Sequence, residues 1–232
     1  MENILKSTAQ DDLKHLRAYY DFLISKEDLE NKVVLDIGCG YGAFVLYASE
    51  KKVKKVYGIE ISEKDLATAK KCVKKSNVEL KVGSGIEIPF PDNYFDTVVS
   101  FEVLEHIPKN TENKKIFSEI NRVLKKDGKL YLSTPFDSFI AKLVDPAFYL
   151  TGHRHYSLKQ IKTFTKNNNL KVISTKVWGG IWQILAQFDL YISKWIFRRH
   201  RFFEEYANQK NVKELKENVE GYMDIYLIAK KI

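Results

Sequence analysis

Apolar and polar residues follow two rhythms along this chain, and the rhythms alternate. Leu13, Leu16, Tyr20, Leu23 and Ile24 recur at helical spacing, which predicts a leading helix over 9–25. The β-branched run Lys32–Ile37 predicts a first strand, followed by a helix over Gly42–Glu50. Next come a strand over Lys55–Ile61 and a helix opened by the N-cap Ser62 and running to about Lys75. A strand over Val78–Gly83, a loop marked by Pro89 and Pro91, and an apolar strand over Phe95–Phe101 follow. A helix over about Asn113–Leu124 and the turn Asp127–Gly128 lead into a strand over Lys129–Ser133, stopped by Pro135. Beyond it lie a capped helix over Ser157–Asn167, a strand over Leu170–Val177, a mostly helical segment over about 178–220, and a last strand over Tyr222–Ala229.

Strands that alternate with helices at this spacing predict an α/β fold, a parallel sheet with helices on both faces. Handedness and crossover rules favour a doubly wound arrangement. At 232 residues, one domain with an elaboration is expected. Residues 1–30 form an N-terminal helical cap, 31–177 a cofactor-binding core, 178–220 a helical insertion or lid, and 221–232 the final strand.

Composition changes the picture little. A hydrophobic content of 44% and an aromatic content of 13% fit a globular protein that needs no covalent staples. Two cysteines, Cys39 and Cys72, cannot form a disulfide framework and read as reduced thiols, and no metal site is expected. The first residues lack a secretion pattern, and no apolar stretch reaches spanning length. The expectation is a cytoplasmic protein. The net charge of +8 raises a nucleic-acid reading, but the lysines are spread along most helices, so a solvated surface is expected instead.

The chemistry begins at Val33–Gly42. Three glycines at alternate positions follow the strand, which brings backbone N–H groups close to a nucleotide-like ligand. Gly38-x-Gly40-x-x-Ala43 even meets a loose dinucleotide fingerprint, with Glu60 at the expected distance, so a nicotinamide dehydrogenase stays open at this point. The company of the loop narrows the choice. Val34-Leu-Asp36-Ile-Gly-Cys-Gly-x-Gly42, Gly58-Ile-Glu60-Ile-Ser62, Ile88-Pro89-Phe-Pro91-Asp-Asn-x-Phe95-Asp96, Phe101-Glu-Val-Leu-Glu105-His106-Ile and Arg122-Val-Leu-Lys-Lys-Asp-Gly128 occur in that order. Together they resemble class I S-adenosylmethionine-dependent methyltransferases, closely over about 30–135 and more loosely toward 177.

The resemblance implies a Rossmann-like, mostly parallel seven-stranded sheet with an antiparallel last strand, and S-adenosyl-L-methionine as cofactor. It places Asp36 at the ligand's ammonium, directly or through water. Gly38, Cys39, Gly40 and Gly42 pass beneath the ligand, and Glu60 takes the ribose hydroxyls. Ile61 and Ile86 sandwich the adenine, Ser84 and Gly85 border it, and Phe101 and Glu102 stand at the mouth of the cleft. A phosphate would be repelled at Asp36, whereas a sulfonium ligand carries none. One departure stands out: Ser84 occupies a position that is acidic in many relatives, so either Ser84 or Glu87 serves the adenine.

Methyl transfer needs alignment and desolvation, and a hydroxyl acceptor gains from a base. His106 and His155 are the candidate catalytic residues. His153 is weaker, and Arg154 could hold an acidic group on the acceptor. Ile181, Ile184, Leu185, Phe188, Ile192, Trp195 and Ile196 form a helical stripe that ends in Arg198-Arg-His-Arg201. It reads as a core or dimer contact, a lid, or a peripheral membrane contact through 180–203. The partner expected is a small-molecule acceptor, most often an oxygen of a quinone precursor, glycan or lipid-type molecule, and not nucleic acid. The rivals are a donor-binding partner protein without catalysis and the dehydrogenase.

Overall fold

The computed structural model describes residues 9–109, 111, 115–197 and 202–232. Helix α1 (Ala9–Leu23) leads into β1 (Val33–Ile37), α2 (Ala43–Ser49), β2 (Lys55–Glu60), α3 (Glu63–Cys72), β3 (Val78–Val82) and β4 (Phe95–Phe101). Then follow α4 (Phe117–Val123), β5 (Leu124–Pro135), α5 (Phe139–Leu143), α6 (Pro146–Leu150), α7 (Leu158–Asn167) and β6 (Leu170–Trp178). Helix α8 (Ile181–Tyr191), a π-helical extension Ile192–Phe197, α9 (Glu204–Lys216) and β7 (Asp224–Lys231) complete the chain.

The seven strands lie in the order β3-β2-β1-β4-β5-β7-β6. β1 pairs in parallel with β2 and β4, whereas β7 runs antiparallel between β5 and β6. This is the doubly wound, seven-stranded sheet expected, with its last strand antiparallel. Alternate residues of one strand serve opposite layers, as the pleat requires. Val34 and Val99 pack with Phe44 and Tyr47 of α2. Leu35 and Val98 pack with Phe117 and Ile120 of α4 and Ile161 of α7.

Several boundaries follow local chemistry. Ser62 caps α3 by accepting from Asp65 N–H, and Ser157 forms a full capping box with Gln160. The fifth strand starts earlier than predicted, at Leu124, because the Asp127–Gly128 turn is absorbed within it as an irregularity against β4. The short helices α5 and α6 escape a periodicity argument, being only five residues each. Part of the helix predicted over 113–124, and the basic run 198–201, lie outside the described residues.

Two of the motifs turn out to be structural fasteners. Asp96 accepts from Val33 N–H (2.8 Å) and Lys125 Nζ (2.8 Å), tying the starts of β1 and β4 together. Arg122 donates to Glu119, to Asp92 and to the carbonyls of Ile88 and Phe90, which pins the proline loop.

Candidate active site

The carboxyl ends of β1, β2 and β4 lie side by side at the point where the chain reverses winding direction, the position at which doubly wound sheets bind ligands. A cavity of about 450 Å³ opens there. Gly38 lines it with φ +69°, and a Cβ at this position would stand 2.5 Å from Val103 Cγ2, so only glycine fits. Glu60 also lines it, and its two oxygens are held by Gly40 N–H (3.0 Å) and Ser62 N–H (3.0 Å). Each oxygen keeps a further lone pair for a ligand. Ile61, 73% exposed, faces the same space as Ile86. Ser84 and Gly85 line it, and exposed Glu87 does not.

Asp36 ends up differently from a ligand-facing residue. It is buried at the end of β1 and does not line the cavity. Burial, and then the nearby charge of Glu60, push its carboxyl well above the usual carboxylate range. Among the described residues nothing donates a hydrogen bond to it. Cys39 and Gly42 are also set back. Cys39 is buried with its N–H on the Ile59 carbonyl, and Gly42 caps α2. They shape the turn, and Gly40 contributes through Glu60.

A second cavity, about 460 Å³, adjoins the first. Its walls are aromatic: Tyr19 and Tyr20 from α1, Phe101 from β4 and Trp178 from β6. Ser133, Asp145, His153, His155, Gln183 and Asp224 supply polar groups. Glu102 lines both cavities. Its backbone is left-handed, with φ +52°, a conformation uncommon outside glycine and enriched at functional sites. Ser133 Oγ donates to Oε1 of Glu102, and the Glu102 N–H donates to the Ser133 carbonyl at 3.2 Å. The side chain is open to the cavity, yet protein surrounds it at longer range, and this desolvation raises its carboxyl despite the bond from Ser133. Desolvation, and then the charge of Glu102, push Glu105 and Asp224 well up. A chain with net charge +8 thus encloses an acidic site.

The two candidate catalytic histidines are placed unequally. His155 has both ring nitrogens engaged: Nδ1 with the Phe136 carbonyl (3.1 Å) and Nε2 with Asp145 Oδ2 (2.9 Å). It has no nitrogen left to take a proton from a molecule in the cavity. His106 lines the first cavity only, and desolvation, with His153 beside it, lowers its pKa. Arg154 spends its donors on the carbonyls of Leu104 (3.0 Å) and Glu105 (3.5 Å), so it braces the turn after β4 instead of facing the acceptor space. Tyr19, Ser133, Asp145, Gln183 and Asp224 were not expected in the site. Asp145-Pro146 is legible as an N-cap followed by a first-turn proline, but nothing local places it in a cavity.

Residues 35–132 match the family described as "Methyltransferase domain". They belong to the class I S-adenosylmethionine-dependent methyltransferase superfamily. A probable tocopherol O-methyltransferase of Oryza sativa subsp. japonica is 34% identical over 119 residues, which is 49% of this chain and 32% of the rice protein. A demethylmenaquinone methyltransferase of Symbiobacterium thermophilum is 34% identical over 116 residues, 46% of this chain and 45% of that protein. The chain therefore spans about a third to under half the length of these relatives. The solved structure of Haemonchus contortus phosphoethanolamine N-methyltransferase 2 with S-adenosyl-L-methionine superposes with TM-score 0.65 at 21% identity, covering 94% of this chain and 52% of that one. The methyltransferase domain holds every residue that lines the first cavity. Of the second it supplies only Phe101 and Glu102.

Proposed function

We propose that this chain transfers a methyl group from S-adenosylmethionine to a hydroxyl of a small aromatic or apolar molecule, of the quinone-precursor or lipid type. The observation that carries the reading is Glu102, one carboxyl shared by two adjoining cavities of similar size.

The first cavity fits the donor. Glu60 offers free lone pairs to two neighbouring hydroxyls, Ile61 and Ile86 offer apolar faces, and Ser84 offers a hydroxyl at the rim. The charge of Glu60 would repel a pyrophosphate, and a cation bound beside buried Asp36 would favour its carboxylate form. Bound there, S-adenosylmethionine supplies a methyl group already activated on a sulfonium. The protein's remaining tasks are alignment, exclusion of water and removal of one proton. Tyr19, Tyr20, Phe101 and Trp178 clamp a flat apolar acceptor and exclude water. Glu102 takes the hydroxyl proton on its carboxylate, which its raised pKa makes a stronger base than an ordinary carboxylate. His155, with both nitrogens occupied, orients Asp145 and the segment 136–155. The rice and Symbiobacterium relatives, a tocopherol O-methyltransferase and a demethylmenaquinone methyltransferase, accord with an aromatic acceptor.

A contact with a lipid surface is supported by α8. Gln183 and Gln187 face the cavity, while Ile181, Leu185, Phe188 and Ile192 are between 41% and 56% exposed. This helix wears its apolar side outward, as interfacial helices do. The stripe residues Trp195 and Ile196 lie outside the described side chains.

Isothermal titration tests the donor reading. S-adenosylhomocysteine is expected to bind at one site and nicotinamide dinucleotides not at all, and the reverse result overturns it. A methyl-transfer screen over phenols, quinol precursors, sugars and lipid extracts tests the acceptor. Transfer to amines alone would overturn the hydroxyl assignment, and donor binding without any transfer would make the chain a donor-binding partner.

A further inference from the structure

The segment Gly152–Tyr156 brings two histidines back toward the N-cap of α6. His153 Nδ1 lies 2.8 Å and His155 Nε2 lies 2.9 Å from the same oxygen, Asp145 Oδ2. One ligand atom from each of the three residues falls within 4.8 Å of the others. From this convergence we propose that Asp145, His153 and His155 form a binding site for one divalent first-row metal ion at the wall of the aromatic cavity. The proposal rests on this cluster alone and stands apart from the methyl-transfer reading.

Three features fit an ion. Two imidazoles and one carboxylate are the donor set that suits zinc, iron(II), manganese or cobalt, and three protein ligands leave coordination positions open. The outer partners are already in place. The Phe136 carbonyl accepts from His155 Nδ1–H, which directs Nε2 at the ion, and the other oxygen of Asp145 accepts from Ala147 N–H at 3.0 Å. On the far side of His153, Nε2 faces Glu105 Oε1 at 3.9 Å. Access exists as well, since all three residues line the cavity.

A carbonyl only accepts, so Nδ1 of His155 carries a hydrogen there and Nε2 is the atom that a metal would take. The open positions would face the space walled by Tyr19 and Trp178, so a hydroxyl or carboxylate of a molecule held there could complete the shell. Cysteine spacing gave no hint of this, because the ligands are an His-x-His pair and an aspartate eight residues before it.

The test is titration of the untagged full chain with cobalt(II), read by its visible d–d absorption and by calorimetry. One ion per chain, displaced by zinc, is expected. His153→Ala and His155→Ala should each weaken binding at least ~10-fold. His106→Ala should leave it unchanged, although Glu105, His106 and His153 also lie close together. His155 is fully enclosed, so its variant could unfold; the partly exposed His153, checked by far-UV circular dichroism, keeps the test decisive. Absence of cobalt binding, equal binding by folded His153→Ala, or loss in His106→Ala with retention in His155→Ala would each overturn the assignment.

Discussion

The two cavities that meet at Glu102 are almost equal in size, about 450 and 460 Å³, and are built in opposite ways. The donor-side cavity is drawn from 37–108, from the ends of adjacent parallel strands and the turns that follow them. The aromatic cavity collects residues from α1, β4, β5, the segment 141–155, β6, α8 and β7. The first is held by backbone geometry: positive-φ glycines and N–H groups on Glu60. The second is held by side chains from distant parts of the sequence, Gln183 on Asp224 and both histidines on Asp145. The turns can therefore hold one ligand while the acceptor space is reshaped by changes outside the sheet.

The sharpest way to break this division is Glu102→Gln. Methyl transfer should fall by about 10²–10⁴-fold while S-adenosylhomocysteine affinity stays within a few-fold, and the rise of rate with pH should disappear. An equal loss of donor binding would make Glu102 a donor ligand only. Glu60→Ala should weaken donor binding by about 100-fold in calorimetry, roughly 2.7 kcal/mol for lost charge-assisted bonds. Trp178→Ala should leave that affinity unchanged and raise KM for the acceptor.

Asp36→Asn separates function from stability. The folded Asp36 carboxyl is raised, so the folded chain keeps a proton that the unfolded chain gives up above about pH 4. Stability from this group is whole below that pH and is lost as pH rises toward the raised value. The Asn variant should melt about 3 °C higher at neutral pH, bind donor more weakly, and converge with wild type near pH 4. A wild-type melting curve with no such slope would remove the argument for an isolated buried carboxyl. The smallest effect belongs to the surface. Leu185→Glu with Phe188→Glu should reduce co-sedimentation with anionic liposomes without changing turnover of a water-soluble acceptor.

How much was legible follows the same division. The alternation of strands and helices was legible, and Gly38, Glu60, Ile61, Ser84 and Ile86 could be grouped on neighbouring turns, because strand, turn and helix start lie within a few residues of each other. Asp96 and Arg122 were readable as a pattern but not as fasteners, since all their partners except Glu119 lie about 30 to 60 residues away. Tyr19, Gln183 and Asp224 carried no local mark, and Asp145 only that of a helix N-cap. His155 looked like a base because sequence shows its type and not the carbonyl and carboxylate that occupy it.

The most direct measurement is one set of S-adenosylhomocysteine titrations on wild type, Glu60→Ala and Trp178→Ala, each checked for fold. Binding that is lost in Glu60→Ala and unchanged in Trp178→Ala is the result expected of two cavities with separate ligands. Binding that survives Glu60→Ala, or that falls with Trp178→Ala as steeply as with Glu60→Ala, would contradict it.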